Sequence, residues 1–188
     1  MTLALSTLDE ELASPDTGGK AWSALYDAHF DFVWRSLRRL GVPVSTLDDA
    51  TQDVFVIALR RRSDFEGRSA VKTWLFGIAW NVARNLSRSK TRREDPLPEA
   101  IVDGRHLGQE EAAARSEAVA TLYELLESLD EDKRAVFVMA ELEEMGAKEI
   151  AAVTGVPENT VYSRLRAARS AFEAGLRRVK AKDIWRQR

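Results

Sequence analysis

The segment covering residues 147–169 constrains the fold more than any other part of the chain. Helix formers occupy residues 148–153, and Gly155 and Pro157 then end the helix, because glycine adopts positive φ and proline cannot continue a helix. From Glu158 an apolar stripe returns at helical spacing. The stripe consists of Val161, Leu165 and Ala168.

The opposite face of this second helix is polar and basic. It carries Asn159, Thr160, Ser163, Arg164, Arg166 and Arg169. A short helix, a glycine turn and a second helix that is apolar behind and basic in front form the layout of a helix-turn-helix DNA-binding motif. The alternative is an ordinary helical hairpin whose basic face is only solvated.

Charge is strongly segregated along the 188 residues, although the formal net charge is only −2. Basic residues dominate positions 60–93, acidic residues dominate positions 94–132, and basic residues dominate again from Arg164. The two basic blocks predict two surfaces that face phosphates, with the acidic residues between them directed elsewhere.

Composition excludes several kinds of site. The chain has no cysteine, so disulfides and thiolate metal sites are impossible. Its two histidines, His29 and His106, lack ligand-like spacing, and we expect His29 to pack in the core rather than bind a metal. No pattern resembles a nucleophile–base pair or a glycine loop that cradles phosphate. We therefore predict that the chain is not an enzyme and uses no metal or cofactor.

The sequence also argues against a membrane protein. No apolar run approaches the length of a membrane span. The acidic N-terminus lacks the basic start and long apolar core of a secretory signal. We therefore predict a cytoplasmic protein without membrane insertion.

Apolar residues recur at helical spacing through most of the chain, so an all-α fold is predicted. Thr46, Ser69 and Asp130 are placed to cap helices. Asp48 and Asp49 are expected in the first turn of the helix that Thr46 begins. The predicted helices before the helix-turn-helix cover residues 21–40, 46–61, 70–89, 116–129 and 131–142.

A polar, acidic stretch with several prolines and glycines divides the chain into two helical modules. We expect the basic C-terminal segment either to fray or to form a short helical tail. The predicted organisation is a flexible tail at 1–20, a first module at 21–93, a linker at 94–115, a second module at 116–178 and a basic tail at 179–188.

The second predicted helix has an acidic face that is separate from its buried stripe. This face carries Asp49, Gln52, Asp53 and Val56. It is either a solvated acidic patch or a docking surface for a basic partner.

The third predicted helix mixes aromatic and basic side chains. Trp74 lies on its apolar stripe and is expected in the core, whereas Phe76 and Trp80 lie outside that stripe. Rings interleaved with cations suit single-stranded nucleic acid, since bases stack on rings and phosphates pair with cations. Periodicity alone leaves open whether Phe76 and Trp80 stack on bases or pack in the core.

These features together resemble the sigma-70 family of bacterial RNA polymerase specificity factors, in its small extracytoplasmic-function (ECF) group. The resemblance covers residues 21–178. It rests on the acidic helix at 47–55, the Trp-Leu-x-x-Ile-Ala-x-Asn pattern at 73–83, and the helix-turn-helix pattern within 129–169. Trp80 departs from the family, which often has a basic or small polar residue there.

The resemblance implies partners and roles for the first module. Asp49, Gln52, Asp53 and Val56 are implied to dock on the beta-prime clamp helices of core RNA polymerase. The loop and third helix are implied to recognise and open the promoter at its minus-ten element and to hold a flipped base. The residues implied in this role are Phe65, Arg68, Lys72, Phe76, Trp80, Asn81, Arg84 and Arg88.

The resemblance also implies that the second module reads the minus-thirty-five element and meets the polymerase beta flap. Tyr162, Ser163 and Arg166 are implied to face base edges. Phosphate contacts are implied for Lys148, Asn159, Thr160, Arg164 and Arg169. The linker is implied to run near the RNA exit path, and an anti-sigma factor is an implied partner.

The leading hypothesis is therefore a non-enzymatic sigma factor that directs promoter-specific transcription initiation. The alternative is a stand-alone helix-turn-helix regulator that binds duplex DNA without polymerase. The first module discriminates between them, because a plain regulator has no use for it.

Overall fold

The computed structural model describes residues 19–65, 67, 70–90 and 109–186, and all regular secondary structure in those ranges is helical. The prediction of an all-α fold is confirmed. The α-helices are α1 (Gly19–Arg39), α2 (Val44–Arg60), α3 (Val71–Lys90), α4 (Gln109–Glu127), α5 (Glu131–Phe137), α6 (Ala147–Thr154) and α7 (Glu158–Arg186). A one-turn 3₁₀ helix (Arg62–Asp64) follows α2, and a π-helical segment (Val138–Leu142) continues α5.

The described residues form two compact units. The first is built from α1, α2 and α3, and the second from α4 to α7. The first unit has a core of aliphatic side chains that recur at helical spacing on each of its helices. Completely buried members include Leu25, Val33, Leu37, Leu47, Val54 and Leu75.

Aromatic and polar side chains complete the core of the first unit. The ring of Tyr26 lies 4.6 Å from that of Phe55, measured between centroids. The buried hydroxyl of Thr51 donates a hydrogen bond of 2.7 Å to the Leu47 carbonyl, which offsets the cost of burying it. His29 is only 2% exposed, as predicted for a packed core histidine.

The second unit is organised around the packing of α7 against α5 and α6. The stacked rings of Phe137 and Phe172 lie 4.6 Å apart and join α5 to α7. On α7, Val161 and Ala168 are completely buried, as the apolar stripe predicts. Gly175 allows close approach, because a Cβ atom there would lie 2.6 Å from Cδ2 of Leu125.

The start of α2 differs from the prediction. The helix begins at Val44, so Thr46 lies inside the helix instead of capping it, and the first turn contains no acidic residue. The reason lies in the preceding Pro43. Proline tolerates the edge of a first turn because its missing N–H is one that the turn leaves unpaired.

Two predicted non-helical segments are also partly helical. Helix α4 begins at Gln109, so residues 109–115 of the predicted linker belong to it. Their alanine, glutamate, glutamine and arginine residues are strong helix formers, and that propensity outweighs the polar composition. Helix α7 continues through Arg186, so most of the predicted basic tail is helical. The remaining linker, residues 94–108, and Ser69 lie outside the described residues.

The predicted cap of α5 is confirmed. Oδ1 of Asp130 accepts a hydrogen bond of 2.9 Å from the backbone N–H of Lys133. A hydrogen bond from the Lys133 side chain is the main cause of the lowered pKa of Asp130, and the backbone hydrogen bond adds to it because both favour the ionised carboxylate. The predicted end of the helix differs, because the α-helical hydrogen-bond pattern stops at Phe137 and becomes π-helical.

Candidate functional site

A tight turn positions α7, the helix that carries most of the candidate DNA contacts in the second unit. Gly155 ends α6 with a φ of +72°, and its N–H donates a hydrogen bond of 2.9 Å to the Ala151 carbonyl. A side chain at this φ is strained, which explains the glycine. The predicted break at Gly155 and Pro157 is confirmed, and α7 starts directly after it at Glu158.

The outer face of α7 is open to solvent. Tyr162 is 58% exposed, which is more than Val56 at 45% or Leu59 at 40%. Ser163, Arg166 and Asn159 are also exposed, and Thr160 is half-buried. Lys148 is exposed on α6. The structure therefore presents these predicted DNA contacts on the surface of one unit.

Arg164 and Arg169 differ from those residues because both are engaged by carboxylates. Nη2 of Arg164 lies 2.5 Å from Oδ2 of Asp132. Nε and Nη2 of Arg169 donate hydrogen bonds of 2.8 and 2.6 Å to the same oxygen, Oε1 of Glu141. The family resemblance implied phosphate contacts for both arginines, and no sequence pattern indicated that Asp132 and Glu141 are their partners.

On α2, an exposed face combines carboxylates with apolar surface. Asp49, Gln52 and Asp53 are exposed, and Val56 is 45% exposed. Leu59 adds a further apolar side chain at 40% exposure, which the sequence analysis missed. Its spacing of three residues from Val56 is the signal that could have revealed it. An exposed pair of apolar side chains beside acidic ones is typical of a protein-binding surface.

On α3, Phe76 and Trp80 are 1% and 3% exposed, so of the two alternatives that periodicity left open, the structure shows packing in the core. Their rings belong to the core of the first unit. Phe65 is also buried, at 7% exposure, and its ring lies 5.2 Å from that of Trp74. Stacking on a base needs an accessible ring face, so none of these buried rings offers a stacking surface in this structure.

The polar candidates on α3 are accessible. Asn81, Arg84 and Arg88 follow one another at steps of three and four residues and therefore share a face. The guanidinium of Arg84, which is half-buried, lies 6.0 Å from the ring centroid of Trp80, so the buried ring supports the cation from below. The side-chain amide of Asn81 donates a hydrogen bond of 3.0 Å to the Gly77 carbonyl.

Lys72 is exposed at the start of α3, with its ammonium 5.5 Å from the ring centroid of Phe32. It lies twelve residues before Arg84, which places it about 120° away around the helix axis. The structure thus does not bring Lys72 onto the face of Asn81, Arg84 and Arg88. The remaining candidate, Arg68, lies outside the described residues.

Neither a metal site nor a membrane span is apparent in the described part of the chain. Within residues 19–65, 67, 70–90 and 109–186, no group of three or more His, Cys, Asp or Glu side chains could hold a metal ion. No helix in the same ranges is long and apolar enough to cross a bilayer.

Both units match models of known protein families. Residues 25–93 match sigma-70 region 2, and residues 120–172 match sigma-70, region 4. The first match covers most of α1 and all of α2 and α3, and the second covers the C-terminal part of α4, all of α5 and α6, and the first half of α7. The regions occur in this order along the chain.

Several curated proteins are similar to the chain along much of its length. RNA polymerase sigma-H factor of Pseudomonas aeruginosa is 34% identical over 68% of this chain and 72% of its own length. ECF RNA polymerase sigma-E factor of Escherichia coli K12 is 32% identical over 70% of this chain and 74% of its own. The probable RNA polymerase sigma-C factor of Mycobacterium bovis is 31% identical over 87% of each.

Solved structures agree with this fold. CnrH, solved in complex with the cytosolic domain of CnrY, is 29% identical to this chain. The superposition covers 92% of this chain and 97% of the CnrH chain, with a TM-score of 0.65. Sigma factor RpoE of Bartonella quintana, solved with the anti-sigma factor NepR, shares the fold at 20% identity, with a TM-score of 0.70 over 84% of this chain and 98% of its own. The chain belongs to the sigma-70 family of RNA polymerase sigma factors, in its extracytoplasmic-function group.

Proposed function

We propose that this chain binds core RNA polymerase and directs promoter-specific initiation of transcription. The observation that carries the proposal is the presence of both sigma-70 regions, in order, on the two helical units. The relatives named above are themselves RNA polymerase sigma factors. In this role the chain contributes binding and strand opening to the polymerase and performs no catalysis of its own.

The exposed face of α2 is the proposed polymerase-docking surface, formed by Asp49, Gln52, Asp53, Val56 and Leu59. Val56 and Leu59 supply apolar area whose burial against a partner is favourable. The exposed carboxylates beside them select a basic partner and speed its encounter. We infer that the clamp helices of the polymerase beta-prime subunit provide that partner.

The outer face of α7 is the proposed reader of the minus-thirty-five element. An α-helix fits the major groove of B-DNA, and in helix-turn-helix proteins the N-terminal residues of the second helix contact base edges. Tyr162, Ser163 and Arg166 are exposed in the first turns of α7 and take this role. Lys148, Asn159 and Thr160 are proposed to meet phosphates, and the polymerase beta flap is proposed to hold this unit.

For the minus-ten element we propose a division of labour on α3. Asn81, Arg84 and Arg88 form an accessible polar face that contacts the DNA strand. Trp80 supports Arg84 from within the core. Phe65 is the candidate to meet a flipped base, which requires it to leave its position on Trp74. Flipping a base costs a few kcal/mol, so contacts to the extruded base must offset that cost.

We further propose an anti-sigma factor as a regulatory partner and the cytoplasm as the site of action. Support comes from CnrH, whose structure was solved with the cytosolic domain of another protein, and at the level of the fold from RpoE, which was solved with an anti-sigma factor. The docking face on α2 is a surface that such an inhibitor could cover, because an inhibitor seated there excludes polymerase.

Run-off transcription tests the proposed function directly. The full chain is added to core polymerase with a library of promoter fragments, and transcripts are sequenced to obtain start sites and the shared motif. We expect transcripts from a defined subset of promoters and none from core polymerase alone. If the chain binds duplex DNA but never core polymerase at any salt concentration, it is instead the stand-alone regulator.

A further inference from the structure

Two ion pairs attach the recognition helix α7 to the helix behind it. One joins Arg164 to Asp132 in the first turn of α5, at 2.5 Å. The other joins Arg169 to Glu141 in the π-helical segment after α5, at 2.6 Å. We call these two pairs the arginine clamp.

The two arginines lie on opposite borders of the buried stripe of α7. Arg169 follows Arg164 by five positions, which at 3.6 residues per turn places the two arginines about 140° apart around the helix axis. Val161 and Ala168, both completely buried, occupy the arc between them. An ion pair at each border resists rotation of α7 in either direction, and that rotation decides which side chains face outward.

The acidic partners are held on well-anchored backbone. Asp132 lies in a turn that the cap from Asp130 closes through a 2.9 Å hydrogen bond. Beyond Glu141, the π-helical segment is closed by a hydrogen bond of 3.1 Å from the N–H of Glu143 to the Val138 carbonyl. The carboxylates therefore act as fixed points against which α7 is set.

We propose that Arg164 and Arg169 are positioning residues that set the rotation of the recognition helix through Asp132 and Glu141, and that neither neutralises a DNA phosphate. This inference rests on the proposed reading of promoter DNA by α7. It reassigns two residues that the sequence resemblance placed on phosphates. The direct contacts from α7 then fall to Tyr162, Ser163 and Arg166 and to residues in its first turn.

Charge explains why a clamped arginine makes a poor phosphate contact. Both Nε and Nη2 of Arg169 are directed at Glu141, so two donors of its guanidinium fork are already used. The nearby carboxylate cancels the positive charge and repels an approaching phosphate. Such a site releases no counterion from DNA, and counterion release is what makes phosphate contacts sensitive to salt.

The test measures the affinity of holoenzyme, assembled from the full chain and core polymerase, for a promoter fragment at several salt concentrations. A true phosphate contact lowers the slope of log affinity against log salt by about 0.9 when its cation is removed. We expect Arg169→Gln and Glu141→Gln to weaken promoter discrimination to a similar extent while leaving this slope unchanged. Lys148→Gln, which removes an exposed cation from α6, is the matched control and should lower the slope by about 0.9.

A charge swap separates the two roles most sharply. In the double variant Glu141→Arg/Arg169→Glu the clamp is restored with its charges exchanged, so we expect discrimination to return to within about two-fold of the original chain. If Arg169 instead contacts phosphate, the swapped variant binds more weakly than Arg169→Gln, and Glu141→Gln binds more tightly than the original chain. Either of those results overturns the proposal.

Thermal unfolding of the free chain supplies a readout that does not depend on DNA. Glu141→Gln and Arg169→Gln should each lower the Tm of the second unit by about 1–3 °C, as expected for a surface ion pair. The double variant Glu141→Gln/Arg169→Gln should lower the Tm by no more than either single variant does. A loss equal to the sum of the two single losses would contradict the clamp. If the original holoenzyme fails to distinguish promoters, the proposed function fails, and the unfolding cycle still decides whether the clamp exists.

Discussion

The two units present their candidate DNA-binding side chains in different ways. In the first unit the aromatic candidates Phe76 and Trp80 are 1% and 3% exposed, and the accessible side chains around them are polar. In the second unit Tyr162 is 58% exposed on the outer face of α7. Aromatic residues that the sequence placed in similar roles therefore lie at opposite extremes of burial.

This difference corresponds to two kinds of recognition. Reading duplex DNA requires side chains that already project into a groove, and α7 provides them without any rearrangement. Opening a duplex requires capture of a base that has left its stack, so the capturing ring needs to be accessible only at that moment. The residue type alone does not distinguish these roles, whereas burial does.

Truncating one aromatic residue in each unit should give the largest difference between the two units, measured as the change in the free energy of unfolding. Phe76→Ala removes a buried ring and should lower the free energy of unfolding of the first unit by about 3–5 kcal/mol. Tyr162→Ala removes an exposed ring and should change that of the second unit by no more than about 0.5 kcal/mol. Chemical denaturation followed by circular dichroism measures both.

The same pair of variants also has a functional readout. Tyr162→Ala should weaken binding of holoenzyme to the minus-thirty-five element although the protein remains folded. Equal losses of stability in the two variants would remove the distinction between a structural ring and a reading ring.

The docking face of α2 should give the next largest effect. Asp53→Lys places a cation where a basic partner is proposed, and like charges at an interface cost several kcal/mol. We expect at least about a 100-fold loss of affinity for core polymerase, measured by fluorescence anisotropy with labelled chain. The DNA contacts of the second unit are unaffected by this change.

Asp31→Lys is the matched control for that experiment. Asp31 is an exposed carboxylate on α1 in the same unit, outside the proposed docking face. Asp31→Lys alters the net charge by the same amount as Asp53→Lys. Because Asp31 lies outside the proposed docking face and salt screens distant charges, the affinity for core polymerase should be nearly unchanged at moderate salt. Similar losses in the two variants would indicate a general charge effect instead of a docking face.

Arg166→Ala should have an intermediate effect that is confined to sequence recognition. If Arg166 contacts a base edge, discrimination between the preferred minus-thirty-five element and single-base variants should fall by about 1–3 kcal/mol. Competition binding with a set of such variants measures this. A uniform loss across all DNA sequences, together with a reduced salt slope, would identify Arg166 as a phosphate contact.

The fold could be predicted from the sequence because helical periodicity and local breakers are short-range signals. Gly155 and Asp130 illustrate this, since the turn and the cap each depend only on residues within one helical turn. The failures at α2 and α4 concern boundaries, where Pro43 and the alanine-rich start of α4 compete with other local preferences. At these two helices the presence of a helix was predicted and its exact first residue was not.

The candidate sites could be predicted only in part, because burial depends on neighbours that are remote in sequence. The buried residues of α3, from Val71 through Leu75 to Trp80, span about 200° of its circumference, more than a single apolar stripe suggests. Phe76 and Trp80 fall inside that wider arc. The pair of Arg169 with Glu141 bridges 28 positions, a separation at which no local pattern indicates contact.

The smallest expected effect concerns the cap that anchors the arginine clamp in the second unit. Asp130→Ala removes the acceptor for the Lys133 N–H, and loss of such a cap costs about 0.5–2 kcal/mol. Asp130→Asn keeps an acceptor at the same position and should recover most of that loss at neutral pH. The difference between the two variants isolates the cap from the charge.

The charge contribution of Asp130 should depend on pH in a definite direction. The hydrogen bond from the Lys133 side chain, the largest cause, lowers the pKa of Asp130 below its usual value of 3.8, although partial burial opposes it. A lowered folded-state pKa means that the ionised carboxylate stabilises the fold above pH 3.8, and that this stabilisation disappears as the pH falls through the folded-state pKa. The advantage of the original chain over Asp130→Asn should therefore shrink progressively as the pH falls below 3.8, as measured by denaturant unfolding over a series of pH values from neutral into acid. Since the Asp130 side chain is 55% exposed, solvent screening keeps this advantage small. A difference in stability that does not change across the pH series would assign the effect to geometry instead of charge.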